Sequence, residues 1–117
     1  MKLRLTVDDT TYEAILNDSA ASRDFVALLP LTLTLSDYAG TEKISDLPKK
    51  LSTASAPSGT AARVGDLAYY APWGNLAIFY KDFGHAAGLV KIGELISGIE
   101  QFAAHRSDFA VTIAAVD

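Results

Sequence analysis

The stretch Gly65-Asp66-Leu67-Ala68-Tyr69-Tyr70-Ala71-Pro72-Trp73-Gly74-Asn75-Leu76-Ala77-Ile78-Phe79-Tyr80 decides the fold. It places two apolar runs, Leu67 to Ala71 and Asn75 to Tyr80, on either side of a Pro-Trp-Gly bend. Neither run alternates cleanly, which is the pattern of strands covered on both faces. The rest of the chain supplies simpler strands around this pair.

Leu3, Leu5 and Val7 share one face of a first strand, and Asp8-Asp9-Thr10 turns it into a second through Tyr12, Ala14 and Leu16. Leu31, Leu33 and Leu35 alternate with Thr32, Thr34 and Ser36 in a half-buried strand that Asp37-Tyr38-Ala39-Gly40 reverses. Thr41 to Leu47 reads as a weaker strand, Leu47 to Leu51 as a short helical turn, and Ser52 to Thr60 as a mobile surface loop. Beyond the deciding stretch, Lys81 to Gly88 reads as a loop and Leu89 to Ile96 as a strand in which Gly93 marks a bulge. Phe109, Val111, Ile113 and Ala115 form a last strand.

Two segments change to helical period. After the possible N-caps Asn17, Asp18 and Ser19, residues Ala21, Phe25, Leu28 and Leu29 fall on one stripe, and Pro30 ends the helix. Ser97-Gly98-Ile99-Glu100 has the capping-box pattern and opens a second helix through Arg106, with Ile99, Phe102 and Ala103 facing inward. Roughly eight strands with two short helices predict a mainly β, closed eight-stranded barrel capped by those helices, because closure removes unpaired edges. A two-sheet sandwich is the alternative. The 117 residues form one domain, 1–117, large enough to bury its own core.

Composition excludes several functions. There are no cysteines, so thiol catalysis, disulfides and thiolate metal sites are ruled out. Net charge is −4 and the basic residues are scattered apart from Lys49-Lys50, so nucleic acid is not an expected partner. The longest apolar stretch, Phe25 to Leu35, is interrupted by Pro30, Thr32 and Thr34 and is not expected to span a membrane. The N-terminal residues alternate charged and apolar side chains, so a cytoplasmic location is expected. His85 and His105 lack carboxylates at metal-ligand spacing, and His105 suits the last turn of a helix. Gly84-His85-Ala86-Ala87-Gly88 lacks the Lys-Ser/Thr ending of a phosphate loop, and no Ser stands in a Gly-x-Ser-x-Gly elbow. No cofactor is expected.

The segments Leu31–Leu51 and Gly65–Tyr80 resemble the bacterial cyclophilin-like family, above all in Asp37-Tyr38-Ala39-Gly40-Thr41-Glu42-Lys43 and Ala71-Pro72-Trp73-Gly74-Asn75. The resemblance covers nearly the whole chain and implies a small cyclophilin-type barrel with no settled activity. True prolyl isomerases carry an Arg upstream of a Phe and a Gln, in a "FHR…F…QGGD" arrangement. Arg23, on the first predicted helix, and Arg63, before Gly65, lack that context, so the isomerase residues do not carry over.

Aromatic residues concentrate around the Pro-Trp-Gly bend: Tyr69, Tyr70, Trp73, Tyr80 and Phe83, with Phe79 assigned to the core. A cleft walled by Tyr69, Trp73, Tyr80 and Phe83, with Tyr38, Glu42 and Asn75 as polar contacts, would suit a small apolar ligand or a proline-containing peptide. The plainer reading makes these rings core filling and leaves Glu42 and Lys43 in solvent. The expected function is a binding module; the alternatives are a weak prolyl isomerase and an interaction or homo-oligomeric subunit.

Overall fold

The computed structural model describes residues 1–116. In chain order the elements are β1 (Lys2–Val7), β2 (Thr10–Leu16), α1 (Ala20–Val26), β3 (Leu31–Tyr38), β4 (Glu42–Asp46) and β5 (Gly59–Ala62). They continue as β6 (Asp66–Tyr70), β7 (Asn75–Phe79), β8 (Phe83–Ala87), β9 (Leu89–Leu95), α2 (Ile99–Ala104) and β10 (Phe109–Val116). Eight strands close a barrel in the order β1-β10-β3-β4-β7-β6-β9-β2, every pair antiparallel. The predicted closed barrel is the observed fold, and β5 and β8 add a separate two-stranded ribbon.

Strand alternation turns one residue in two into the barrel. Leu3, Leu5, Leu33, Leu35, Leu67, Tyr69, Leu76, Ile78, Val111 and Ile113 meet there in one continuous core. Each such side chain contributes about 1.5–3 kcal/mol by leaving water. The helices sit at opposite ends of the barrel. Ser19 caps α1, its hydroxyl accepting from the Ser22 N–H at 3.1 Å. Ala21 and Phe25 are buried beneath this helix. At the other end α2 drives Phe102 into the core, edge-on to Tyr12 with ring centroids 5.1 Å apart. The β9 bulge falls beside Gly93: Leu67 pairs with Gly93 and Ala68 with Lys91, leaving Ile92 as the extra residue.

Three local expectations are corrected. Phe83–Ala87 is strand rather than loop, because it pairs with β5 some two dozen residues upstream and so leaves no local signal. Leu47 to Leu51 forms no helical turn. The segment is held instead by Leu51, which is buried and whose N–H donates to the Tyr69 hydroxyl at 3.2 Å. The capping box does not form. The residue before α2 is Gly98, at φ +92°, and a side chain there would strike the Tyr12 ring. Ser97 therefore lies one position too early to cap the helix, which ends at Ala104.

A hollow on the outer face of the barrel as candidate functional site

β6 and β7 are covered on both faces, as the sequence predicts. Their inward residues join the barrel core, while Ala68, Ala77 and Phe79 face outward into a second cluster with Ala62 and Leu89. The β5–β8 ribbon lies over this second face. Two alanines at the contact let a backbone ribbon approach closely. The ribbon covers the sheet only in part, and beyond its edge a hollow of about 170 Å³ remains. Tyr38, Glu42, Tyr70, Trp73, Phe79, Phe83, Ala86 and Leu89 line it.

Each wall has a local cause. Trp73 rides on the turn between β6 and β7, where the Trp73 and Gly74 N–H groups both donate to the Tyr70 carbonyl, and 54% of it is exposed. The turn is tied to the ribbon by the Ala71 N–H, which donates to the Gly88 carbonyl at 2.9 Å. Gly88, at φ +81°, lies so close to Pro72 that a Cβ there would come within 2.7 Å of the proline ring. Tyr38 ends β3 and Glu42 opens β4; the two are register partners, and Glu42 is in turn opposite Phe79. The Trp73 ring meets Tyr38 at 5.3 Å and Tyr70 at 5.4 Å, with interplanar angles of 85° and 82°. Phe83, on the ribbon, tilts over Phe79 at 6.3 Å.

Glu42 is the only charged residue among those lining the hollow. Among the described residues its carboxylate has no hydrogen-bond or ion-pair partner, and burial raises its pKa above the usual 4.5.

Of the residues nominated from sequence, Tyr38, Glu42, Trp73 and Phe83 converge on the hollow. Tyr69 points into the barrel, 1% exposed, where its hydroxyl accepts from Leu51. Asn75 is buried outside the hollow, with its side-chain oxygen unpartnered. Tyr80 lies on another part of the surface, beside Val64, Ile99 and Glu100. There its phenol donates a hydrogen bond to Asp37. Burial first, then Asp37, pushes Tyr80 up to about 12, while the Tyr80 phenol chiefly holds Asp37 below the usual carboxylate range. Tyr70, one of the aromatic residues concentrated at the bend but left out of the expected cleft, also lines the hollow, as do Phe79, which is buried as expected and forms its floor, Ala86 and Leu89. With both faces of β6 and β7 apolar, the sequence gives no sign of which tyrosine of the pair turns outward.

Lys43 is buried rather than solvated. Its ammonium donates to the His105 carbonyl at 2.7 Å, lies 3.4 Å from the Asp37 carboxylate, and sits over the rings of Tyr80 and Phe109. The cluster of Asp37, Lys43 and Tyr80 thereby fastens β3, β4 and the end of β7 to the segment after α2. Arg23, on α1, pairs with Asp18 ahead of that helix, and Arg63 precedes β6; neither lines the hollow. Among the described residues, no group of three His, Asp or Glu side chains is placed to hold a metal ion, and no helix is long and apolar enough to cross a membrane.

Comparison with known proteins agrees with this architecture. The chain is similar in structure to a hypothetical protein, AF2241, from Archaeoglobus fulgidus, whose solution structure superposes with a TM-score of 0.71 at 18% identity. That match covers 99% of this chain and 95% of the other, and at this identity it establishes the fold alone. No curated protein matches the chain. A family model described as the Cyclophilin-like family matches residues 5–114, nearly the full length, and the chain belongs to that family.

Proposed function

We propose that this protein is a binding module whose site is the hollow on the outer face of the barrel, taking a small apolar group of a small molecule or peptide. The observation that carries the reading is the convergence of three large exposed rings, Tyr38, Trp73 and Phe83, over the buried Phe79. Scattered exposed rings need no explanation, but a cluster that walls a concavity is the ordinary form of a ligand site.

Trp73 is the chain's one tryptophan, so its fluorescence reports on this place alone. Titration with a panel of small apolar molecules and proline-containing peptides is expected to give at least one saturable change in Trp73 emission, lost in Tyr70→Ala. The absence of any saturable response across the panel contradicts the reading.

No arginine lines the hollow, so we expect protease-coupled isomerisation of an Ala-Pro peptide to run at the uncatalysed rate. A rate well above background that disappears in Trp73→Ala would favour the weak-isomerase alternative instead. The same exposed rings also fit a contact between copies of the chain. A stable dimer in sedimentation, dissociated by Trp73→Ala, would move the assignment from ligand site to interface.

A further inference from the structure

The groups lining the hollow constrain what fills it. At about 170 Å³ it is smaller than the ~300–1,000 Å³ of sites that enclose a whole drug-sized ligand, so it accepts a head group rather than an entire molecule. Trp73 stands nearly perpendicular to both Tyr38 and Tyr70, and in an edge-to-face pair one ring leaves its faces uncovered by the other. Those faces carry the negative lobe of the ring quadrupole and attract cations. The only formal charge among the lining residues is the carboxylate of Glu42, which lacks a partner among the described residues. The nearest buried cation, Lys43, is turned away and already engaged by His105 and Asp37.

We propose, resting on the binding-module reading above, that the hollow recognises a methylated ammonium head group, with Tyr38, Tyr70 and Trp73 as its aromatic walls and Glu42 as its counter-charge. A plain ammonium carries three strongly hydrated N–H donors and gives up hydration to lie against aromatic faces. A fully methylated ammonium has no donors to satisfy and presents apolar methyls to the rings while keeping its charge. Burial that raises the Glu42 pKa also leaves an anion there in want of a cation once it ionises.

The test pairs each cation with its neutral shape-mate, following Trp73 fluorescence at pH 7. Choline and its carbon isostere 3,3-dimethyl-1-butanol form one pair. The other is the trimethyllysine amide of an acetylated single residue and its neutral tert-butyl analogue, so that the two arms separate a free metabolite-like source from a peptide side chain. The expected result is binding of at least one cation roughly tenfold or more tighter than its isostere. Glu42→Gln is expected to remove most of that preference, and a preference that survives in the variant overturns the role of Glu42 as counter-charge. Equal or tighter binding of the neutral isosteres overturns the cation assignment and leaves the apolar site standing. No binding by any of the four also overturns it, and the wider apolar panel then decides separately whether the hollow is a site at all.

Discussion

Tyr69 and Tyr70 are neighbours in sequence and opposites in environment. Tyr69 enters the barrel, where closure on all sides leaves a tyrosine almost nothing to do but fill space and accept one hydrogen bond from Leu51. Tyr70 points outward beneath a two-stranded ribbon that stops short, so its ring becomes part of a wall. The inner face of β6 and β7 is dictated by geometry, since a closed barrel must be filled to crystal-like density. The outer face is dictated by how far the ribbon reaches, and that freedom is where a site can form.

The contrast is sharpest in stability. Tyr69→Ala should cost about 3–5 kcal/mol in urea denaturation, by loss of burial and creation of a cavity. Tyr70→Ala should cost about 1 kcal/mol, because its ring is already partly wet. Similar losses for the two would erase the distinction between the faces.

Ala77→Leu tests the outer face from below. Added methyls beneath the ribbon should overpack it at about 1–3 kcal/mol. Amide exchange should quicken in β5 and β8 while β1 and β10 stay protected, and uniform quickening would mean that ribbon and barrel open as one unit.

Asp37→Asn acts on β3, one residue before Tyr38, and should cost about 1 kcal/mol or less, since Asp37 is partly exposed and its pair is screened. The native Asp37 pKa lies below its unfolded value, so its contribution is present above the ordinary 3.8 and fades as pH falls through the lowered native value. The acid limb of the stability curve should therefore flatten in the variant. Tyr80, held up first by burial and then by Asp37, should ionise below the native value of about 12 when followed by ultraviolet titration. An unchanged Tyr80 titration would show that the phenol does not sense Asp37.

The smallest effect has the opposite sign. Glu42 has its pKa raised on folding, so its contribution is fully present below the ordinary 4.5 and is lost as pH rises through the raised native value. Glu42→Gln should thus be as stable as the wild type or more so at pH 7, by under ~1 kcal/mol, because Glu42 remains partly open to solvent. A destabilised Glu42→Gln would mean that the carboxylate is held for structure rather than left for a ligand.

Much of the barrel was legible because its strands announce themselves locally. Leu31 to Ser36 alternates strictly, Pro30 stands beyond a capped helix, and the Pro-Trp-Gly bend separates two apolar runs. The ribbon was not legible. Gly59 to Ala62 and Phe83 to Ala87 contain one β-branched residue between them, Thr60, and their strand state comes from pairing with each other and from Ala62 and Ala86 packing on the barrel. Without the ribbon, its edge and therefore the hollow could not be drawn. This is why the sequence gathers Trp73, Phe83, Tyr38 and Glu42 as candidates but also includes Tyr69, Asn75 and Tyr80, which the fold sends elsewhere. Lys43 shows the same limit: a lysine beside a glutamate in a turn reads as solvated, and only the packing of the segment after α2 buries it.

Amide and indole resonances of isotope-labelled protein, followed while a ligand from the apolar or methylated-ammonium sets is added, test the central claim most directly. The account predicts saturable shifts confined to the Trp73 indole, Tyr38, Glu42, Tyr70, Phe83 and Ala86, with the signals of Tyr69 and the inward face of β7 unmoved. Shifts centred elsewhere, such as the groove between α1 and the Ala54–Pro57 segment, would contradict it and place the protein's business on a different face of the barrel.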